Sequence, residues 1–397
     1  MKRRKCRFCN EQGLRNMREI YLDNAATTRP LASLAELFQR HMQTDWYNPS
    51  AMYPNAVRME TEINRAKKVL LDVVRGEQLI FTSGGTESAN TVLFGGYRKL
   101  GGKRQHFITS EYEHPCVYEA MKTLEGQGHS VTYVRPGKSG RIEPETLTSL
   151  VREDTALVSI MHVNNETGAV NDIVELARRV KQANPQTLFH ADGVQGFVKC
   201  PFFMGGSQVD YYSASAHKLH GIKGTGVLFY KKGAPLAPYL IGGGQQMGMR
   251  SGTENTFGIM AFAHAVQEYA KAQKQIETHM RALRERLLSN LAQIEGMQVL
   301  SPEDGAPYIL NVSFPGMRGE VLLHVLEQQG ISIGTGSACS SKKGRMSRTH
   351  QALGIRPEIA EGAVRISFCK DNTLEEMDIT AEEIKEALKK YRGLIRR

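Results

Sequence analysis

Four segments carry residue types that could do chemistry together. Thr82-Ser-Gly-Gly-Thr-Glu-Ser88 follows a β-rich run and opens a helical pattern. Gly84 and Gly85 permit a tight turn, and amides at a helix start suit a phosphate, with the Thr86 hydroxyl beside them. The spacing matches neither a Walker loop nor a dinucleotide G-x-G-x-x-G. Ser213-Ala-Ser-Ala-His-Lys-Leu-His-Gly221 sets Lys218 among small residues, hydroxyls and histidines. An amine there could form a Schiff base with an aldehyde, and Ser215 and His217 could reach the same phosphate. Phe189-His-Ala-Asp-Gly-Val-Gln195 ends an apolar run on Asp192. That carboxylate could face a protonated ring nitrogen, with Gln195 as donor to a ring oxygen. His114, in Ser110-Glu-Tyr-Glu-His-Pro115, could stack on a flat ring. Singly, the four have ordinary explanations: a tight turn, a surface lysine, an aspartate helix cap and a loop histidine. Together they supply the contacts of pyridoxal 5′-phosphate and suit it better than a nucleotide.

The elements that must position these groups alternate. Strand-like runs at 79–82, 106–109, 130–134, 156–161, 187–190, 209–212 and 227–230 are separated by helical patterns near 87–99, 115–126, 143–152 and 172–183. That alternation predicts an α/β fold with a mainly parallel seven-stranded sheet and helices on both faces, its ligand site beyond the carboxyl ends of the strands. A long charged helical pattern over 258–294 reads as a connector. Beyond it, runs at 309–314, 331–333 and 364–368 with helices near 319–329 and at the C-terminus predict a smaller α+β domain.

Composition bounds the rest. A chain of 397 residues with 41% hydrophobic and 23% charged residues is long for one core and ordinary for a globular protein. The net charge of +10 is carried by the ends: residues 1–18 hold +6 and 389–397 hold +5, so the body is close to neutral. Strong direct nucleic-acid binding is therefore not expected, and residues 1–19 read as a flexible basic extension. No apolar stretch is long enough to span a bilayer and 6–19 has no signal-peptide core, so the expected location is the cytoplasm, with no membrane association. Six cysteines make no disulfide framework, and Cys6-x-x-Cys9 lacks a second ligand pair, so no metal site is expected. Cys116, Cys200 and Cys369 read as buried thiols. Cys339 differs, because it lies in a small, polar run, Gly334–Arg345, that cannot pack a core and carries Lys342, Lys343 and Arg345, cations that favour the thiolate.

With these motifs in view, the chain resembles the cysteine desulfurases (NifS/IscS-like) of the class V pyridoxal-phosphate-dependent aminotransferase family. The resemblance runs from Tyr21-Leu-Asp-Asn-Ala-Ala-Thr-Thr28 to about Thr373. Its further segments are Met161-His-Val-Asn-Asn-Glu-Thr-Gly168, Arg250-Ser-Gly-Thr-Glu-Asn255 and Gly336-Ser-Ala-Cys-Ser-Ser341. It implies a type I pyridoxal-phosphate fold and a homodimer, with 31–262 as the large cofactor-binding domain and 20–30 plus 263–397 as the small domain. It also implies that Lys218 holds the cofactor aldehyde and moves protons, that Asp192 pairs with the ring nitrogen, that Gln195 bonds the ring oxygen and that His114 stacks on the ring. Gly85, Thr86, Ser215 and His217 would hold the phosphate, and Thr253 would reach the phosphate of the neighbouring subunit. Asn165 and Arg365 would grip the carboxylate of L-cysteine, and Cys339 would take its sulfur as a persulfide. The sulfur would pass to an acceptor protein, an iron–sulfur scaffold or a tRNA-thiolation enzyme. Selenocysteine lyase, or another class V aminotransferase, is the alternative activity. Cys369, Ala216, Ile222, Tyr53 and Phe257 depart from the usual family residues without removing a functional group.

Overall fold

The computed structural model describes residues 19–100, 105–335 and 346–392. Cys6, Cys9 and Cys339 lie outside them.

Seven strands form the main sheet: β2 (Gln78–Thr82), β3 (His106–Ser110), β4 (Ser130–Val134), β5 (Thr155–Met161), β6 (Leu188–Asp192), β7 (Tyr211–Ser215) and β8 (Gly226–Tyr230). Their spatial order is β2-β8-β7-β6-β5-β3-β4. β4, β3, β5, β6 and β7 pair in parallel, while β8 pairs antiparallel to both β7 and β2 and so alone runs against the rest. β3, β5, β6, β7 and β8 are buried along their whole length, as a sheet covered on both faces requires. One apolar cluster, with Phe107, Val117, Met121 and Leu157, covers one face. A larger one, with Ile108, Val158, Phe189, Tyr212, Phe229 and Phe262, covers the other. All seven sequence runs appear as strands, but β6 and β7 run on to Asp192 and Ser215. Their polar ends are buried in the sheet, which an apolar-run criterion misses.

The expected helix over 258–294 is two helices, Thr256–Lys271 and Gln273–Leu291, joined at Ala272 (φ −114°, ψ 11°). No Gly or Pro marks the break, so the apolar periodicity reads straight through it. Ile276 and Met280 belong to the larger main-sheet core, while Leu283, Leu287 and Leu291 belong to a separate core with Leu310, Val312, Ile366 and Ile384. That core is built on an antiparallel sheet ordered β12 (Ala363–Ser367), β10 (Ile309–Ser313), β9 (Gln298–Val299). Beside it β1 (Ile20–Tyr21) pairs in parallel with β11 (Ile331–Ser332). The chain start therefore joins the C-terminal core. The helix Leu374–Tyr391 closes that core and begins with a capping box between Thr373 and Glu376.

Candidate active site

The carboxyl ends of β2, β3, β5, β6 and β7 open on one cavity of about 840 Å³. Ten of the twelve residues expected from the sequence line it: Gly85, Thr86, His114, Asn165, Asp192, Gln195, Ser215, His217, Lys218 and Arg365. Thr253 is exposed and does not line it, and Cys339 lies outside the described residues.

β2 delivers the glycine turn. The helical run from Gly85 starts at once and passes through a π-helical stretch, Thr91–Gly96. A Cβ on Gly85 would lie 2.6 Å from Val194 Cγ2, so only glycine fits there. Gly226 on β8 has the same task, since its Cβ would meet Gly84 Cα at 2.5 Å. Ser215 Oγ stands 3.8 Å from the place of a Gly84 Cβ, which puts the hydroxyl at the same turn. Glu87 braces the loop from below: it accepts from the Ser83 amide and pairs with both Nε and Nη2 of Arg250 at 2.9 and 3.2 Å. Those donors hold its carboxyl below the usual range against burial.

Lys218 sits in a short turn directly after β7, and its Nζ donates to the carbonyls of Ala25 and Ala26 at 2.6 and 2.7 Å. Burial, then the Arg365 and Lys199 cations, pull its amine down to about 7. At neutral pH a large fraction is therefore the free amine, the form that attacks an aldehyde or takes a proton. Asp192 is buried at the end of β6, and burial lifts it to about 6 against the Val194 amide and the Lys218 charge. The Val194 N–H is its one hydrogen-bond donor among the described residues. His114 is neutral: burial and the cations of Lys218 and Arg348 lower it to about 4. Its Nδ1 accepts the Cys116 amide, so the neutral ring carries its proton on Nε2. His217 is likewise held near 4, by burial first.

A buried carboxylate with room for one more donor, a half-neutral lysine, a neutral histidine and a glycine turn beside a serine hydroxyl form a donor set that fits pyridoxal phosphate. Gln195 is placed differently from the expectation. Its Nε2 donates to the Ala25 carbonyl at 2.8 Å, and its buried Oε1 has no partner. Arg365, on β12, reaches the Asn165 carbonyl at 2.8 Å and Asp23 Oδ1 at 2.7 Å, leaving Nε unpartnered. The link to Asn165 thus runs through its backbone.

Four contributors escaped sequence reasoning. Asp23 orients Arg365. Glu166 accepts from Ser347 and Thr349 at 2.5 and 3.0 Å, pinning the chain that follows the Cys339 segment. Arg348 enters the cavity with its guanidinium 4.0 Å over the Tyr118 ring. Glu113 is buried beneath His114. Cys116, read as a buried thiol, lines the cavity 3.0 Å from His114 Nδ1. Asp23 and Glu166 lie inside the family segments 21–28 and 161–168 but were given no task there, and Glu113 adjoins His114. The signal was their place next to recognised positions, in Glu113-His114 and Asn165-Glu166.

The aminotransferase class-V model matches residues 20–379, and the chain belongs to that family. A NifS/IcsS protein homolog from Lactobacillus delbrueckii subsp. bulgaricus is 40% identical over 367 residues, 90% of this chain and 94% of that protein. The cysteine desulfurase IscS of Methanosarcina thermophila is 35% identical over 94% of this chain and 93% of its own length. A solved NifS-like protein superposes with a TM-score of 0.89 at 36% identity, covering 94% of this chain and all of that one.

Proposed function

We propose that the protein is a pyridoxal-phosphate-dependent cysteine desulfurase that converts L-cysteine to L-alanine and leaves the sulfur as a persulfide on Cys339. The observation that carries this reading is the meeting, in one cavity, of the Lys218, Asp192 and His114 set with one described flank of the Cys339 segment, while the other flank is bridged to the cavity residue Arg365. Gly334 forms a backbone bridge with Arg365, and Met346 lines the cavity. Cys339 is five residues from Gly334, a chain length that reaches at most ~17 Å.

When bound, pyridoxal phosphate supplies an aldehyde for the Lys218 amine and a ring that takes up negative charge from the substrate carbon. Asp192 would hold the ring-nitrogen proton. Gly85, Thr86, Ser215 and His217 would hold the phosphate, and His114 would cover the ring. Arg365, with Asp23 fixing one Nη, would present Nε to the substrate carboxylate. Lys218, released by the substrate, would take the α-proton and return one to the product. The Cys339 thiolate would attack the substrate sulfur, forming the S–S bond as the C–S bond breaks. The carbon keeps that electron pair and is protonated to alanine, so cysteine and a thiol yield alanine and a persulfide.

We propose further that 31–262 and 20–30 with 263–397 act as the large and small domains. We also propose that two copies pair, since Thr253 is exposed for a neighbouring phosphate and Trp46, Met52, Ile241 and Met247 present apolar side chains to solvent. An iron–sulfur scaffold or a tRNA-thiolation enzyme would accept the sulfur in the cytoplasm. Among the described residues no helix is long and apolar enough to cross a membrane. The test is incubation with L-cysteine and mass spectrometry of the Cys339 peptide. One added sulfur, with alanine released and no adduct in Cys339→Ala, is expected. Alanine formed at an undiminished rate by Cys339→Ala would overturn the nucleophile.

A further inference from the structure

Behind the Lys218 turn, outside the main cavity, three ligating groups converge. His220 is 3% exposed, and its Nδ1 stands 2.9 Å from the Arg29 carbonyl. A carbonyl only accepts, so Nδ1 carries the proton and Nε2 presents a lone pair, the arrangement seen in metal-bound histidines. Nε2 has no hydrogen-bond partner among the described residues. One ring nitrogen of His220, Cys369 Sγ and an Asp371 carboxylate oxygen all lie within 4.8 Å of one another. Cys369 is buried, which pushes its thiol up to about 11, yet the amides of Asp371 and Asn372 are directed at its sulfur and favour the thiolate. Asp371 is exposed, and Lys370 occupies its Oδ1, leaving the second oxygen free.

We propose that His220, Cys369 and Asp371 form a site for a zinc-class divalent cation, with water as fourth ligand, clamping the Lys218 turn to the segment after β12. Nitrogen, sulfur and oxygen donors together suit zinc, and a thiolate plus a carboxylate neutralise its charge. Bonds of ~2.0–2.3 Å place tetrahedral ligands ~3.3–3.7 Å apart, within the 4.8 Å span of the cluster, and the exposed Asp371 side chain can adjust to a bound ion. Lys199, which shares a small internal cavity with His220 and Cys369, opposes a cation but favours the thiolate that binds it. Two elements gain a shared anchor: the turn holding Lys218, two residues before His220, and the chain holding Arg365, four residues before Cys369. The site stands whether or not Lys218 carries a cofactor.

The test uses the full-length, cofactor-loaded protein with Cys6, Cys9 and Cys339 changed to serine to remove competing thiols. After equilibrium dialysis against zinc chloride, one zinc per chain is expected. Zinc-edge X-ray absorption should find one sulfur at ~2.3 Å. Adding Cys369→Ala or His220→Asn should abolish stoichiometric binding; asparagine tolerates the left-handed backbone of His220 (φ 60°). The exposed Asp371→Asn, which does not challenge the fold, should weaken binding tenfold or more. Substoichiometric zinc in the parent, zinc without a sulfur ligand, or binding unaltered by Asp371→Asn would overturn the site.

Discussion

Glu113 makes the cavity floor sensitive to pH, and Glu113→Gln isolates that effect. The side chain is 2% exposed. The Ser110 hydroxyl and the Met161 amide both donate to Oε1, at 2.5 and 2.9 Å, while Oε2 has no partner. Burial outweighs those donors and, with repulsion from Asp192, lifts the carboxyl from 4.5 to about 8. The folded protein therefore keeps a proton on Glu113 at neutral pH, whereas the unfolded chain releases it near 4.5. Below 4.5 both states are protonated. From there to 8 only the unfolded state ionises, so stability falls as pH rises, and above 8 the loss levels off. At ~1.4 kcal/mol for each pH unit of that window, the loss is at most ~4–5 kcal/mol. Glutamine keeps the shape and the accepting oxygen but never ionises. Urea unfolding of the cofactor-loaded proteins, followed by far-UV circular dichroism, should find variant and wild type within ~1 kcal/mol at pH 5. At pH 8.5 the variant should be the more stable by ~2–4 kcal/mol. A stability gap identical at the two pH values would refute a buried, protonated Glu113.

Lys218→Ala should abolish the visible absorbance of the bound cofactor and sulfide release from cysteine; an unchanged spectrum would remove Lys218 from its role. Arg365→Lys loses the fork that reaches Asp23 and Asn165, so kcat/KM for cysteine should fall by about tenfold to a hundredfold, corresponding to ~1.5–3 kcal/mol per charge-assisted hydrogen bond. Steady-state kinetics within twofold of wild type would exclude it from carboxylate binding. Gly226→Ala drives a methyl to 2.5 Å from Gly84 Cα, which should cost ~1–3 kcal/mol of stability. The same variant should lose cofactor faster on dialysis than wild type, and equal retention would disconnect β8 from the glycine turn.

What could be read in the sequence follows the range of the interactions. The glycine turn, Asp192 and Lys218 were legible because each stands at or just past the end of an apolar strand, where strand-end chemistry collects, and the resemblance supplied an expected role for each. The tasks of the acids near them were not. Asp23 is set against Arg365 by a contact 342 residues apart, and Glu166 meets Ser347 across 181. Neither pairing leaves a periodicity or a local motif. Gln195 was identified, yet the direction of its amide depends on a carbonyl 170 residues away.

That carbonyl belongs to the strip Asp23–Thr28, legible in the sequence as a family signature without a physical task. Its Ala25 carbonyl accepts from both Gln195 and Lys218, its Asp23 holds Arg365, and the Thr28 hydroxyl donates to the His217 carbonyl while accepting the His220 amide. The Thr28 amide also donates to the His217 carbonyl. The strip starts beside β1, which is paired with β11, so it is anchored in the C-terminal core while its hydrogen bonds reach the ends of β6 and β7. A shift of either core against the other therefore moves the partners of the amine, the amide and the guanidinium together. Two-residue β1 is too short to hold that register by its own ladder. The Asn24 side chain adds bonds to the Ser367 carbonyl and to Asn372, so the register rests on the end of β12 and the turn that follows it. The same turn, Cys369–Asn372, carries two of the three ligands of the proposed cation site. Metal occupancy would thus stiffen the strip from its C-terminal side and the Lys218 turn from the other.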